Sequence, residues 1–253
     1  MDYKKYKISG KNPQHIVLFG DLHYGSKEAD IDLIDNTIKK IKRSKDTHVI
    51  LTGDLIENAS KFSVGSGVYD QVKNPNDQTW EIAKKLKPIA SKILCGFRGN
   101  HCFRSMRDLG FDIGESIANY VGYDYIPYMG IIDLDMGKIK YRSFGWHGAG
   151  FSQSTPGRIK LLERQAETFT ADFYFCGHTH DLADVQIPKR DIINGQFRDM
   201  FKHFILCGSA LKYDNSYAEM YGYKMMKRGW PEVTLNNKQK EISVDLNYAE
   251  GGI

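Results

Sequence analysis

Short apolar runs alternate with amphipathic stretches along most of this chain, and this alternation limits what it can fold into. A run of four to eight apolar residues between turn signals reads as a strand, and apolar residues spaced three or four apart read as a helix. Strand and helix in turn lead to a layered α/β domain. His15 to Gly20 is the first such strand, followed by a helix over Ile31 to Ile41, with Ile31, Ile34, Ile38 and Ile41 on one face. Thr47 to Gly53 is the second strand. A polar loop from Leu55 to Gln78 follows, then a helix over Thr79 to Ala90 that ends near Pro88. Lys92 to Phe97 is a third strand. Ile131 to Met136 and Lys138 to Trp146 form a hairpin about Gly137, Arg158 to Phe169 a helix, and Asp172 to Cys176 and His203 to Cys207 the last strands.

No repeat, low-complexity tract or Pro- or Ser-rich linker divides the sequence, so a single domain over 1–253 is expected. Its core should lie at about 16–210, with 211–253 completing the sheet or shaping the substrate side. At 41% hydrophobic and 26% charged residues the chain should fold unaided, which excludes a disordered protein. The loop from Leu55 to Gln78 is long and rich in Gly, Ser and Asn, as lids and binding segments are.

Charge does not identify a partner. The formal excess is +4, from 35 Lys and Arg against 31 Asp and Glu, and the basic clusters at Lys4 to Lys7, Lys39 to Lys45 and Lys224 to Arg228 read as solvated faces. The four cysteines show no CxxC spacing, which fits a reducing compartment. The N-terminus leads into no apolar stretch of signal length, and no run of about 18 apolar residues occurs, so a cytoplasmic protein with no membrane partner is expected. Oligomeric state is not legible.

Chemistry concentrates where strands end. Asp21-Leu22-His23 follows the first strand, Gly53-Asp54 the second and Gly99-Asn100-His101 the third; Trp146-His147-Gly148 and Gly177-His178-Thr179-His180 follow two later ones. Open α/β sheets bind ligands at the carboxyl ends of their strands. Carboxylate oxygens, imidazoles and one amide oxygen suit divalent ions such as manganese, iron, zinc or nickel, manganese first, and the lack of thiolates disfavours a structural zinc site.

The five clusters resemble the calcineurin-like metallophosphoesterases, whose pattern runs DxH, GD, GNH, H, GHxH, over about residues 16 to 210. The resemblance implies a four-layer αββα sandwich of two mixed β-sheets flanked by helices. It also implies two divalent metal ions, one held by Asp21, His23, Asp54 and His180 and the other by Asp54, Asn100, His147 and His178. Asp54 would then be shared, and a hydroxide between the ions would attack a phosphate ester. His101 would lie beside the metals without ligating them, stabilising the transition state or protonating the leaving oxygen. Arg98, Arg104 and Arg107 flank that turn as possible phosphate clamps, Arg104 foremost, with Arg98 and Asn100 as further substrate contacts.

Asp21, His23, Tyr24 and Gly25 resemble the DxHxG block of the nuclease branch, which includes double-strand-break repair exonucleases. Arg98 to His101 is similar to the RGNH of Ser/Thr phosphoprotein phosphatases, but the Asp-Arg-Gly that should accompany it is missing at Asp54-Leu55-Ile56. A purple acid phosphatase would carry tyrosine where Glu57 stands. A bacterial-type or phage-type phosphodiesterase fits better. Tyr213, Tyr217, Tyr221 and Tyr223, followed by Lys224, Lys227 and Arg228, offer rings and charges for a nucleotide, DNA or RNA. The reading is therefore a phosphodiesterase on a nucleic acid or nucleotide. A phosphomonoesterase on a small metabolite or phosphoprotein, and a non-catalytic scaffold of the same fold, stay open beside it.

Overall fold

In strand after strand, neighbouring side chains point to opposite sides and both sides are buried. That pattern requires a covering layer on each face of a sheet. The computed structural model describes residues 1–60, 63, 67–150, 152–193 and 195–246. The chain begins with β1 (Asp2–Lys7), β2 (Gln14–Phe19), α1 (Ile31–Arg43), β3 (Thr47–Leu51), α2 (Pro75–Leu86) and β4 (Ile93–Phe97). It continues through α3 (Asn100–Leu109), α4 (Ile113–Val121), β5 (Asp124–Ile126), β6 (Gly130–Asp135), β7 (Lys140–Trp146) and α5 (Thr155–Thr168). The last elements are β8 (Phe173–Cys176), β9 (Leu182–Ile193), β10 (Gln196–Cys207), the single turn α6 (Tyr217–Met220), β11 (Glu232–Leu235) and β12 (Ile242–Asp245).

Twelve strands make two six-stranded sheets, ordered β1-β6-β7-β8-β10-β9 and β12-β11-β2-β3-β4-β5. Both are mixed: β2, β3, β4 and β5 run parallel with β11 antiparallel beside β2, while β7, β8 and β10 run parallel with β6 and β9 antiparallel outside them.

The strand alternation assigns the layers. Ile16, Leu18 and Ile50 face inward and meet Phe173, Phe175 and Ile205 of the other sheet. Val17, Phe19, Val49 and Leu51 face the opposite way, onto Ile34 and Ile41 of α1, Ile82 of α2 and Ile117 of α4. Phe144, Tyr174 and Phe204 on the outer face of the other sheet pack under Ile159 and Leu162 of α5. Helices, sheet, sheet and helix are thus stacked in four layers, as the resemblance implied. Each fully buried side chain of this size contributes about 1.5–3 kcal/mol.

Boundaries moved where capping outweighs apolar spacing. α2 starts at Pro75, four residues before the expected Thr79, because the Asn74 side chain accepts from Asp77 N–H and Pro75 occupies the first turn. Its α-helical part ends at Leu86, and a 3₁₀ stretch carries Lys87–Lys92 past Pro88. The loop before it is tied inward: Asn58 N–H donates to Gln78 Oε1 at 2.9 Å, and Ala59 N–H to Gln71 Oε1 at 3.2 Å. Residues 61–62 and 64–66, on which the lid expectation partly falls, lie outside the described residues. No helix among the described residues is long and apolar enough to cross a membrane.

Candidate metal centre

The loops after β2, β3, β4, β7 and β8 meet at one end of the sandwich and bring Asp21, His23, Asp54, Asn100, His147, His178 and His180 together. Their backbones run close. Asp21 N–H donates to Gly53 O at 2.9 Å and His23 N–H to Asp54 O at 3.1 Å. The crossing tolerates no side chain at Gly99, where a Cβ would lie 2.0 Å from Asp54 Oδ1 and 2.2 Å from Asp54 N. Asp21, His23, Asp54, His178 and His180 all have positive φ, between 45° and 64°. Non-glycine residues pay for that region, and such strain gathers at sites that need a fixed geometry.

Two donor groups share the space. In one, His23 Nε2 lies 3.1 Å from His180 Nε2, which lies 3.3 Å from Asp21 Oδ1. In the other, His147 Nε2 lies 2.8 Å from Asn100 Oδ1 and 3.2 Å from Asp54 Oδ2, and His178 Nδ1 lies 2.9 Å from the same Asn100 oxygen. Backbone amides orient the carboxylates: His178 N–H donates to both oxygens of Asp21 at 3.0 Å, and His101 N–H, in the first turn of α3, donates to Asp54 Oδ1 at 2.9 Å.

Partners on the far side of the rings decide which nitrogen faces the cluster. His147 Nδ1 donates to Thr52 O at 2.8 Å, and His23 Nδ1 to Glu57 Oε2 at 3.0 Å. Each ring therefore presents its Nε2 lone pair to other acceptors, an arrangement that calls for positive charge between them. In the metal-free chain protons answer that demand. Burial lowers the His147 pKa, but the Asp54 and Asp21 charges outweigh it and push it up to about 9. His23 is raised in the same way, burial opposing and Glu57, Asp54 and Asp21 prevailing. Burial raises the Asp54 carboxyl, yet His101, His147 and His23 hold it well below the carboxylate range. The donor set fits divalent cations.

His101 stands beside these groups, its Nε2 3.8 Å from Asp54 Oδ2. Its Nδ1 donates to Glu57 O at 2.6 Å and its Nε2 accepts from Arg104 Nη2 at 2.9 Å. Arg104 also donates through Nη1 to Glu57 O at 3.0 Å. Arg98 is engaged elsewhere: it donates to Asp112 Oδ2 at 2.7 Å and lies over the rings of Phe103 and Tyr128. Arg107 pairs with Asp108 on the surface. Asn100 faces the cluster through Oδ1.

Sequence reading used Glu57 only to argue against other branches. Its carboxylate holds His23, and its backbone carbonyl holds both His101 and Arg104. A carboxylate three residues past a Gly-Asp turn was the available signal.

Fold and donor cluster together define a metal-dependent phosphoesterase. The calcineurin-like phosphoesterase family model matches residues 14–182, more than half of the chain, and the chain belongs to that family. It is a metal-dependent phosphoester hydrolase. No curated protein matches it. Among solved structures it is similar to a metallophosphoesterase from Sphaerobacter thermophilus, at 11% identity over 91% of this chain and 87% of that one, with a TM-score of 0.46. It is also similar to a conserved predicted phosphoesterase from Streptococcus pneumoniae TIGR4, at 13% identity over 93% and 90%, with a TM-score of 0.41. Wild-type Vps29 from Entamoeba histolytica, complexed with zinc, is 13% identical over 92% and 97%, with a TM-score of 0.40.

Proposed function

We propose that this chain is a dinuclear phosphodiesterase acting on a nucleic acid or nucleotide. Asp54 carries the reading. Its buried carboxylate takes part in two donor groups, one with His23 and His101 and one with His147 and His178. Two cations sharing that carboxylate would give every acceptor in the cluster a partner. Asp21, His23, Asp54 and His180 would hold one ion, and Asp54, Asn100, His147 and His178 the other. Manganese is the first choice; iron, zinc and nickel suit the same donors. When bound, such a pair lowers the pKa of a water and neutralises charge on the phosphate oxygens.

The chain's own groups supply position. Glu57 fixes the His23 ring, Thr52 O fixes the His147 ring, and Arg104 with Glu57 O fixes His101. The engagement of Arg98 and Arg104 supports a diester over a monoester. A terminal phosphate dianion asks for additional cationic clamps, and these two guanidinium groups are bound to Asp112 and to Glu57 and His101.

With manganese supplied, bis-p-nitrophenyl phosphate should be hydrolysed with kcat/KM at least about tenfold above that for p-nitrophenyl phosphate, and single-stranded DNA or RNA should be degraded. Preference for the monoester would end the phosphodiesterase reading. Intact oligonucleotide alongside diester hydrolysis would turn it toward small nucleotides.

Metal uptake should release protons. Because His147 keeps its proton up to about pH 9 in the metal-free chain, an ion taken at Nε2 must displace it. Apparent affinity should therefore rise about tenfold per pH unit for each displaced proton below that pKa, and level above it. Calorimetry in buffers of different ionisation enthalpy counts the protons. His147→Ala should release one fewer, and an affinity independent of pH would speak against ligation by this residue.

A further inference from the structure

A cavity of about 360 Å³ opens beside His178 and His180, within the range of about 300–1,000 Å³ usual for small-molecule pockets. The His178-Thr179-His180 turn forms one side. Another side is built by the segment 211–226, which lies beyond the residues 14–182 matched to the family. Tyr213, Tyr217 and Tyr223 line it, with Lys212, Lys224 and Glu28 supplying charge.

Core packing does not account for these rings. None of Tyr213, Tyr217, Tyr221 and Tyr223 belongs to the buried core, and Tyr223 is 39% exposed. They gather on one another instead. Tyr217 lies 4.4 Å from Tyr221 and meets Tyr223 edge-to-face at 5.8 Å between centroids. The segment is anchored to the body of the protein: Tyr217 N–H donates to Glu28 Oε1 and Lys212 N–H to Glu28 O, both at 2.9 Å. Ala29 pairs with Leu211. Lys224 Nζ reaches across to Thr155 Oγ1 at 3.3 Å, on the first turn of α5.

Flat π faces, two lysines and a carboxylate in one small cavity, next to the donor cluster, match a ligand with a planar ring, polar ring edges and a nearby phosphate. An acyl chain would leave the charges unmatched. A bare sugar phosphate would leave the rings unmatched. We infer that the cavity seats one nucleobase of the substrate against Tyr217 and Tyr223, with Lys212 and Lys224 toward its phosphate. This rests on the phosphodiesterase reading and narrows it to a nucleotide whose base lies on the His178–His180 side of the site.

The test isolates the base. Binding of adenosine 5′-monophosphate and of ribose 5-phosphate is measured by calorimetry, on the protein as isolated and again after chelation. The nucleotide should bind at least about tenfold tighter in both states, since base stacking on an aromatic residue is worth at least that much. Tyr223→Ala should bring it down toward ribose 5-phosphate, while Tyr223→Phe keeps the ring and the affinity. Thermal melts of both variants check the fold. Equal affinity for the two ligands, or a Tyr223→Ala variant that binds the nucleotide as before, would overturn the inference. Base-dependent binding with no diester hydrolysed would instead defeat the phosphodiesterase reading and leave the base site standing.

Discussion

Replacing Asp54 by asparagine should lower diester turnover by at least about 10³-fold and reduce bound metal below two ions per chain. The substitution keeps the size of the side chain and the acceptor that receives His101 N–H, so the fold should persist. What it removes is the charge. That charge is buried at 1% exposure and faces His147 Nε2 at 3.2 Å, and it is the one carboxylate common to two of the candidate donor groups. An amide oxygen is a weaker donor to a hard cation and supplies half of a bridge at best. Elemental analysis and kcat/KM on a diester, measured on the same preparation, check the claim. Two ions per chain together with wild-type turnover would remove Asp54 from the role proposed for it.

The backbone explains why these residues stay where they are without metal. Five of the seven proposed ligands have positive φ, a conformation costing of order 1–3 kcal/mol each for residues other than glycine. Asp, Asn and His carry that cost more easily than β-branched residues do. The requirement for tight left-handed turns and the requirement for metal donors therefore select the same residue types. Glycine completes the turns where backbones cross, as at Gly177, whose Cβ would fall 2.4 Å from Asp21 Oδ2.

That coincidence is why the site was legible in the sequence. Donor and glycine stand together at each strand end, and buried strands such as β2 and β3 are apolar throughout. Elements without a buried face were missed. β1 alternates Lys and Tyr because it is a half-solvated edge strand paired only with β6. Much of the β9–β10 hairpin is exposed, with Arg190 and Asp199 paired across it, so only its buried end at His203 to Cys207 showed a strand pattern. Glu57 was missed for another reason. Its partners His23 and His101 lie 34 and 44 positions away, and nothing local marks a residue whose work is done at that range. The arginine reading met the same limit. The side chain that occupies Arg98 belongs to Asp112, 14 positions further along.

His101→Ala should leave the metal content unchanged and lower kcat by about 10²–10⁴-fold, the range for a positioned proton-transfer or hydrogen-bonding group. Its environment constrains how it acts. Burial pushes its pKa down to about 4, with Arg104 and His23 adding positive charge nearby and Asp54 and Glu57 opposing. Cations bound beside it would push in the same downward direction. At neutral pH the ring is therefore neutral, with its one proton on Nδ1 given to Glu57 O and its Nε2 lone pair facing Arg104. A ring in that state does not hand over a proton; it accepts one, or it anchors the Arg104 guanidinium. The ratio of wild-type to His101→Ala activity should then stay flat from about pH 6 to 8, because the protonation state of His101 does not change there. A ratio climbing toward acid pH would show that the imidazolium is the working form and restore the leaving-group acid role. Loss of an ion from the alanine variant would place His101 among the ligands, since its Nε2 lies within reach of the group formed with His23 and Asp54.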